Sequence, residues 1–240
     1  MERIINIGGR TYRQTEAISD FALEHFQEPY TEPISKEEVF FFIYGVLHSE
    51  EYRSRWKHNL DKELPRIPRI KGYENFVHFR DAGYRLGFLH TQYEQIKPYP
   101  VQIDGGNEYL QNLQDEDFRV EKMKFGKTDG KTDKTVIVYN QKITIRDIPL
   151  SAYEYIVNGK SAIEWVMERQ AVTTHKDSGI ENDANDWAIE TMGDAKYPFN
   201  LLLSVITVSL ETLDIVKALP KLDIYKDALE RKLRQKEIFS

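Results

Sequence analysis

A chain of 240 residues, 40% hydrophobic and 30% charged, is long enough to bury a real core and too evenly mixed for extensive disorder. The absence of cysteine excludes disulfides, thiolate metal sites and cysteine nucleophiles together, and it fits a reducing, cytoplasmic setting. A net charge of −6 argues mildly against nucleic acid, whose binding is driven largely by phosphate neutralisation.

Met1-Glu2-Arg3-Ile4-Ile5-Asn6 lacks the apolar stretch of a signal peptide. Residues 1–100 read as mainly helical. Ile18, Phe21, Ala22 and Phe26 recur at helical spacing, and Ser35 to Glu38 form a capping box ahead of the apolar run Val39 to Leu47. Ser49 can cap a further helix through Leu60. Pro65 and Pro68 then force an extended connector. The next helix is expected over Tyr73 to Tyr93, with Phe76, Phe79, Ala82, Leu86 and Leu89 turned inward.

After Gly105-Gly106 the period changes. Phe118 to Phe125 alternates, Gly126 to Lys134 has the composition of a turn, and Thr135 to Tyr139 is β-branched and apolar. Asn140-Gln141 makes a tight turn, and Lys142 to Arg146 alternates with Ile143 and Ile145 inward. The spacing predicts a three-stranded meander over residues 118–146. Residues 150–240 return to helix. Ser161 to Glu164 is a second capping box, Thr173 to Asn185 a polar loop, Phe199 to Ala218 a long helix stopped by Pro220, and Tyr225 to Glu237 a charged terminal helix. Leu201 to Leu210 is about half the length that spans a bilayer and is interrupted by Ser204, Thr207 and Ser209, so it reads as a buried helix rather than a membrane segment. The fold class is α+β: helical N- and C-terminal parts around a small antiparallel β-meander, in one region over residues 1–240.

The acidic average hides two basic clusters. From Arg119 to Arg146 eight basic residues face three acids, and from Arg53 to Lys71 seven face two. A ribbon of two or three strands fits the DNA major groove, which makes Arg119, Lys122, Lys124, Lys127, Lys131 and Lys134 candidate contacts on one common face of the meander. Gly126 and Gly130 would let the backbone approach a phosphate. Arg53, Arg66 and Arg69 are expected to act on phosphates or on structural carboxylates, and the meander on bases. The other reading of both clusters is a solvated hairpin and a solvated helix.

Catalytic signatures do not appear. Asn158-Gly159-Lys160-Ser161 suggests a phosphate loop, but Glu154 stands where that loop needs its first glycine, which leaves a glycine turn into a helix capped by Ser161. The six histidines show no i, i+4 pair or HExxH spacing, so no metal site is expected. No GxSxG, dinucleotide glycine fingerprint or Asn-Pro-Pro-Tyr-type motif occurs.

Several stretches, in order along nearly the whole chain, resemble the C-terminal specificity region of type ISP restriction–modification enzymes. They are Tyr44-Gly45-Val46-Leu47-His48 with Glu51-Tyr52-Arg53, Glu63-Leu64-Pro65-Arg66-Ile67-Pro68, Arg119-Val120-Glu121-Lys122-Met123 with Lys124-Phe125-Gly126-Lys127, and Tyr153-Glu154-Tyr155 through Val157-Asn158-Gly159-Lys160-Ser161 to Glu164-Trp165-Val166-Met167. The resemblance implies a target-recognition region that is not itself an enzyme and that partners double-stranded DNA. Its other implied partners are methyltransferase and helicase-like domains of a parent polypeptide, of which this chain would be an excised or truncated part. S-adenosylmethionine, ATP and Mg are implied for that full-length enzyme, which would methylate adenine and cleave after ATP-driven translocation, and no cofactor is implied for this chain. An alternative function is a non-catalytic docking or scaffold domain of a multidomain enzyme.

Overall fold

Two helices begin on reciprocal hydrogen bonds. Ser35 Oγ accepts the Glu38 N–H at 3.2 Å while the Glu38 carboxylate accepts the Ser35 N–H at 2.8 Å, and Ser161 and Glu164 repeat the arrangement. A computed structural model describes residues 3–225 of the chain, which divides into two units, Met1–Gly87 with Ile215–Ser240, and Phe88–Asp214.

The first unit opens with an antiparallel hairpin, β1 (Arg3–Ile7) and β2 (Arg10–Gln14), absent from the helical expectation. Gly8 and Gly9 turn it at φ 57° and 77°, the left-handed pair that suits a two-residue hairpin loop. Ser19 caps α1 (Asp20–Gln27), which buries Phe26. Phe21, one of the residues recurring at helical spacing, is 79% exposed, while this short helix seats Phe26 and the partly buried Leu23 on the core. α2 (Lys36–His48) buries Val39, Phe42 and Val46. The helix expected through Leu60 is two, α3 (Glu50–Arg55) and α4 (Lys57–Leu60). Trp56 separates them at φ −114°, ψ 21°, with its ring 4.9 Å from that of Tyr52. α5 (Tyr73–Thr91) buries Phe76, Phe79, Leu86 and Leu89, as expected, while Ala82 is half-buried.

α2 and α5 meet at glycines. A Cβ on Gly45 would lie 2.0 Å from the Phe79 carbonyl oxygen, and one on Gly83 1.8 Å from that of Phe41. The proline connector is pinned by hydrogen bonds from two buried tyrosines. Tyr52 donates to the Arg66 carbonyl at 2.9 Å and Tyr30 to that of Ile70 at 2.6 Å. Ile70 also bridges Ile224. Beyond Tyr225, the charged terminal helix expected to Glu237 lies outside the described residues.

The second unit holds the sheet: β3 (Gln102–Ile103), then α6 (Gly106–Gln111), β4 (Lys124–Thr128), β5 (Lys131–Val138) and β6 (Thr144–Arg146), in the order β3-β6-β5-β4. It is the expected antiparallel meander with a fourth strand added against β6. The first meander strand starts at Lys124 rather than Phe118, because Phe118 ends a 3-10 turn and the Val120 backbone bonds to the Asn185 side chain instead of a strand. The segment Gly126 to Lys134 is mostly strand. Only Asp129 and Gly130 turn, both at positive φ, and Thr128 pairs with Lys131 across them.

Further on, β7 (Ile156–Val157) and β8 (Lys160–Ser161) flank a tight turn in which Asn158 and Gly159 both have positive φ, and the turn leads into α7 (Ala162–Arg169), capped by Ser161. That is the glycine turn and capped helix anticipated for Asn158 to Ser161. The expected polar loop contains a small pair, β9 (Thr173–Thr174) and β10 (Glu181–Asn182), followed by α8 (Ala184–Trp187) and a π-helical turn, Ala188–Met192. α9 (Tyr197–Lys217) is long and apolar enough to cross a membrane, yet Leu202 and Ile206 are wholly buried against Phe118, Val120, Ile137, Tyr139, Ile145 and Ile163. It is a core helix, as the serine and threonine interruptions implied.

Candidate nucleic-acid interface

Of the eight basic residues between Arg119 and Arg146, half are already tied to carboxylates. The Arg119 guanidinium bonds Glu121 at 2.8 Å and Asp183 at 2.6 Å. Lys134 reaches Glu164 at 2.9 Å and lies over the rings of Phe125 and Tyr153 at 5.4 and 5.2 Å. Lys142 pairs with Asp117, and Arg146 holds Asp104 through two bonds at 2.5 and 2.9 Å. The carboxylates respond as they should: contact with Lys142 holds Asp117, contact with Arg146 holds Asp104 and contact with Lys134 holds Glu164 below their ordinary values. Asp133 is likewise consumed, accepting hydrogen bonds from the hydroxyls of Thr135 and Thr128 and the Thr135 N–H.

The other half are Lys122, Lys124, Lys127 and Lys131. All four are exposed, and among the described residues none makes an ion pair or a side-chain hydrogen bond. They lie on β4, the first residue of β5 and the segment entering β4. The expectation of one common face is corrected by the register. Lys131 pairs with Thr128 and Lys127 with Thr132, so adjacent positions of the ribbon put Lys127 and Lys131 on opposite faces. Lys124 pairs with Val138 on the side away from buried Ile137, and Lys134 turns in toward Glu164.

Between Phe125 and Gly126 the register jumps, and β5 bulges through Lys134, Thr135 and Val136. Gly126 serves this packing. A Cβ there would meet the Val136 side chain at 2.7 Å, and Gly126 is buried, so the close approach it permits is to Val136. Gly130 is needed for its left-handed turn and has open space around it.

Beside β4 and β5 lies a cleft of about 540 Å³, lined by Glu116, Asp117, Arg119, Glu121, Lys122, Lys124, Val138, Asn140, Gln141 and Lys142. Its edge is stiffened by two asparagines. Asn140 ties the turn before β6 to the carbonyls of Asp117 and Arg119. Asn185 accepts the Val120 N–H and donates to its carbonyl, both at 2.9 Å. Neither is visible in the sequence as a site residue, since the carbonyls and N–H they tie down at Asp117, Arg119 and Val120 lie more than twenty residues away.

The second basic cluster belongs to the first unit. Arg53 is exposed near the end of α3 and, among the described residues, pairs with no carboxylate. Arg66 bonds Glu63 at 3.1 Å in a pair exposed on both sides. Arg69 is tied to Glu28, with its side chain only 20% exposed and its guanidinium 5.8 Å over the Tyr225 ring. Among the described residues no group of three His, Asp or Glu side chains is placed to hold a metal ion.

Residues 6–201 match the model of the Type ISP C-terminal specificity domain. Similar solved structures include three complexes with DNA or a DNA substrate mimic. A nuclease-deletion mutant of the Type ISP restriction–modification enzyme LlaGI in complex with a DNA substrate mimic is 39% identical (TM-score 0.68), over 82% of this chain and 17% of that one. The ATP-dependent Type ISP restriction–modification enzyme LlaBIII bound to DNA is 34% identical (TM-score 0.76), over 93% and 14%. The DrdV–DNA complex is 32% identical (TM-score 0.68), over 86% and 20%. The chain therefore spans a fifth or less of each. A search among curated proteins finds no match.

Proposed function

This chain belongs to the family of Type ISP C-terminal specificity domains, and from that premise we propose that it recognises a specific sequence in double-stranded DNA for a restriction–modification enzyme in the cytoplasm. Adenine methylation with S-adenosylmethionine and ATP- and Mg-dependent cleavage belong, in this reading, to methyltransferase and helicase-like parts of a longer polypeptide. The observation that carries the reading is the division among the basic residues. Lys122, Lys124, Lys127 and Lys131 keep exposed charges free of any ion pair among the described residues, along the β4–β5 ribbon and the segment entering it, in a chain whose net charge is −6. Free ammonium groups on both faces of a ribbon suit a groove walled by phosphates on either side. Arg119 and Lys134, being paired, position the ribbon through Asp183 and Glu164 and contact DNA only by exchanging those carboxylates.

The test is duplex binding by the chain across a range of salt concentrations. Glutamine at Lys122, Lys124, Lys127 or Lys131 should each lower the salt slope by about 0.9 for every phosphate the lysine neutralises. Slopes equal to that of the unaltered chain for all four variants would refute the reading. A docking role has one observation in its favour: Trp187, Ile189 and Met192, around the π-helical turn, are 55%, 61% and 41% exposed. Docking and DNA recognition are compatible in one domain.

A further inference from the structure

Two adjacent amides at the turn before β6 have opposite fates. Asn140 spends its side chain inside the protein. Its Nδ2 donates to the carbonyls of Asp117 and Arg119 at 2.8 and 2.9 Å, and its Oδ1 accepts the N–H groups of Lys142 and Ile143, both at 2.8 Å. Gln141 is exposed and, among the described residues, its side chain has no partner. The turn is thus held rigid while a glutamine amide, one acceptor and two donors, stands unused at the cleft.

The same cleft is lined by Val138, a 37% exposed apolar residue paired in register with Lys124. Three of its acids, Glu116, Asp117 and Glu121, stand among its basic residues, with Glu121 and Asp117 paired to Arg119 and Lys142, so the free positive charge at the cleft is that of Lys122 and Lys124. Gln141 and Val138 carry no charge and suit a neutral base edge, which leaves the two free lysines for phosphates. In the major groove an A·T pair presents the adenine N7 acceptor and N6 donor together with the thymine methyl, which calls for an amide and an apolar contact side by side.

We infer that this cleft reads one A·T pair, with Gln141 hydrogen-bonded to the adenine N6–N7 edge and Val138 against the thymine methyl, while Lys122 and Lys124 reach the flanking phosphates. The inference rests on the DNA-recognition reading above and names which residues specify. Gln141 is therefore a specificity residue, and its loss should weaken the matched site toward the affinity shown for scrambled duplexes, with thermal stability in place.

The experiment is selection of bound duplexes from a randomised pool by the full 240-residue chain and by its Gln141→Ala variant, followed by binding to the selected site. The expected outcome is a required A·T pair for the unaltered chain that becomes unconstrained in the variant, with discrimination at that position falling about tenfold or more. Placing 7-deaza-adenine there should weaken the unaltered chain and leave the variant unaffected, and uracil in place of thymine should weaken the unaltered chain more than a Val138→Ala variant. Selection of the same A·T-requiring site by Gln141→Ala, with indifference to 7-deaza-adenine in both proteins, would overturn the inference and leave the DNA reading standing. Failure of the unaltered chain to enrich any site would overturn both.

Discussion

The Arg119 guanidinium lies 2.6 Å from the Asp183 carboxylate, whose side chain is only 4% exposed, across 64 residues of sequence. Burial pushes the Asp183 carboxyl upward, but hydrogen bonds from Asn185 and Arg119 outweigh it and hold the group below its ordinary value of 3.8. Arg119→Ala leaves this carboxylate with only its Asn185 contacts and is expected to destabilise the fold by about 1–2 kcal/mol at neutral pH. A carboxylate whose folded pKa is depressed contributes stability fully above its unfolded value and loses it as pH falls through the folded one. Denaturant midpoints of the unaltered chain should therefore hold between pH 7 and about 5 and drop below about 4, while Asp183→Asn should flatten part of that acid-side fall. A variant with the same acid limb as the parent would remove Asp183 from the account.

The contact of Gly45 and Gly83 predicts a steep penalty for one methyl group. Alanine at either position drives a Cβ to within about 2 Å of a carbonyl oxygen of the opposing helix, and backbone cannot yield as a side-chain end can. Gly45→Ala and Gly83→Ala should each cost about 3 kcal/mol or prevent folding of the first unit, as measured by circular dichroism and chemical denaturation. Gly9→Ala has open space around it and pays only for its left-handed φ of 77°, about 1 kcal/mol. Equal costs for all three would contradict the close crossing.

Much of this architecture is legible because its signals are local. The pairs Ser35–Glu38 and Ser161–Glu164 lie three residues apart, and both caps form. Prolines 65 and 68 extend the connector, and the apolar spacing of α5 matches its buried face. The Gly8-Gly9 hairpin signal is local too, but the helical spacing that starts at Ile18 dominates that part of the chain. What the sequence could not show is charge already spent. Lys134 and Arg146 find their carboxylates 30 and 42 residues away, and Arg119, besides nearby Glu121, holds Asp183 across 64, so a count of basic residues treats them like the free Lys124 and Lys131. The common face fails for a related reason, since spacing along one strand does not reveal the register that sets Lys127 and Lys131 apart.

Gly126 offers a test of the bulge that shapes the ribbon. Its missing side chain leaves room for Val136, 2.7 Å from where a Cβ would stand. Gly126→Ala should destabilise the chain by about 1–3 kcal/mol, and adding Val136→Ala should recover part of the loss. The coupling between the two, measured by denaturation of the single and double variants, should be at least about 0.5 kcal/mol. Simple additivity would mean that the bulge tolerates the extra methyl elsewhere.

The last prediction separates the arginines of the first unit. Arg53 is exposed without a carboxylate partner among the described residues, and Arg66 shares an exposed pair with Glu63, which contributes at most about 1 kcal/mol. Either charge can turn to a phosphate at little internal cost. Arg69 differs. Its side chain is mostly covered, it holds Glu28, and its own carbonyl accepts the Tyr225 N–H at 3.0 Å beside the Ile70–Ile224 bridge. Arg53→Gln and Arg66→Gln should lower the salt slope of duplex binding by roughly one each, weaken matched and scrambled duplexes alike, and leave the denaturation midpoint nearly unchanged. Arg69→Gln should instead lower the midpoint, by about 1–2 kcal/mol, with the slope retained in the folded fraction. The two readouts are independent, so a slope that falls by one for Arg69→Gln at unchanged stability would move that residue from the scaffold to the phosphate contacts.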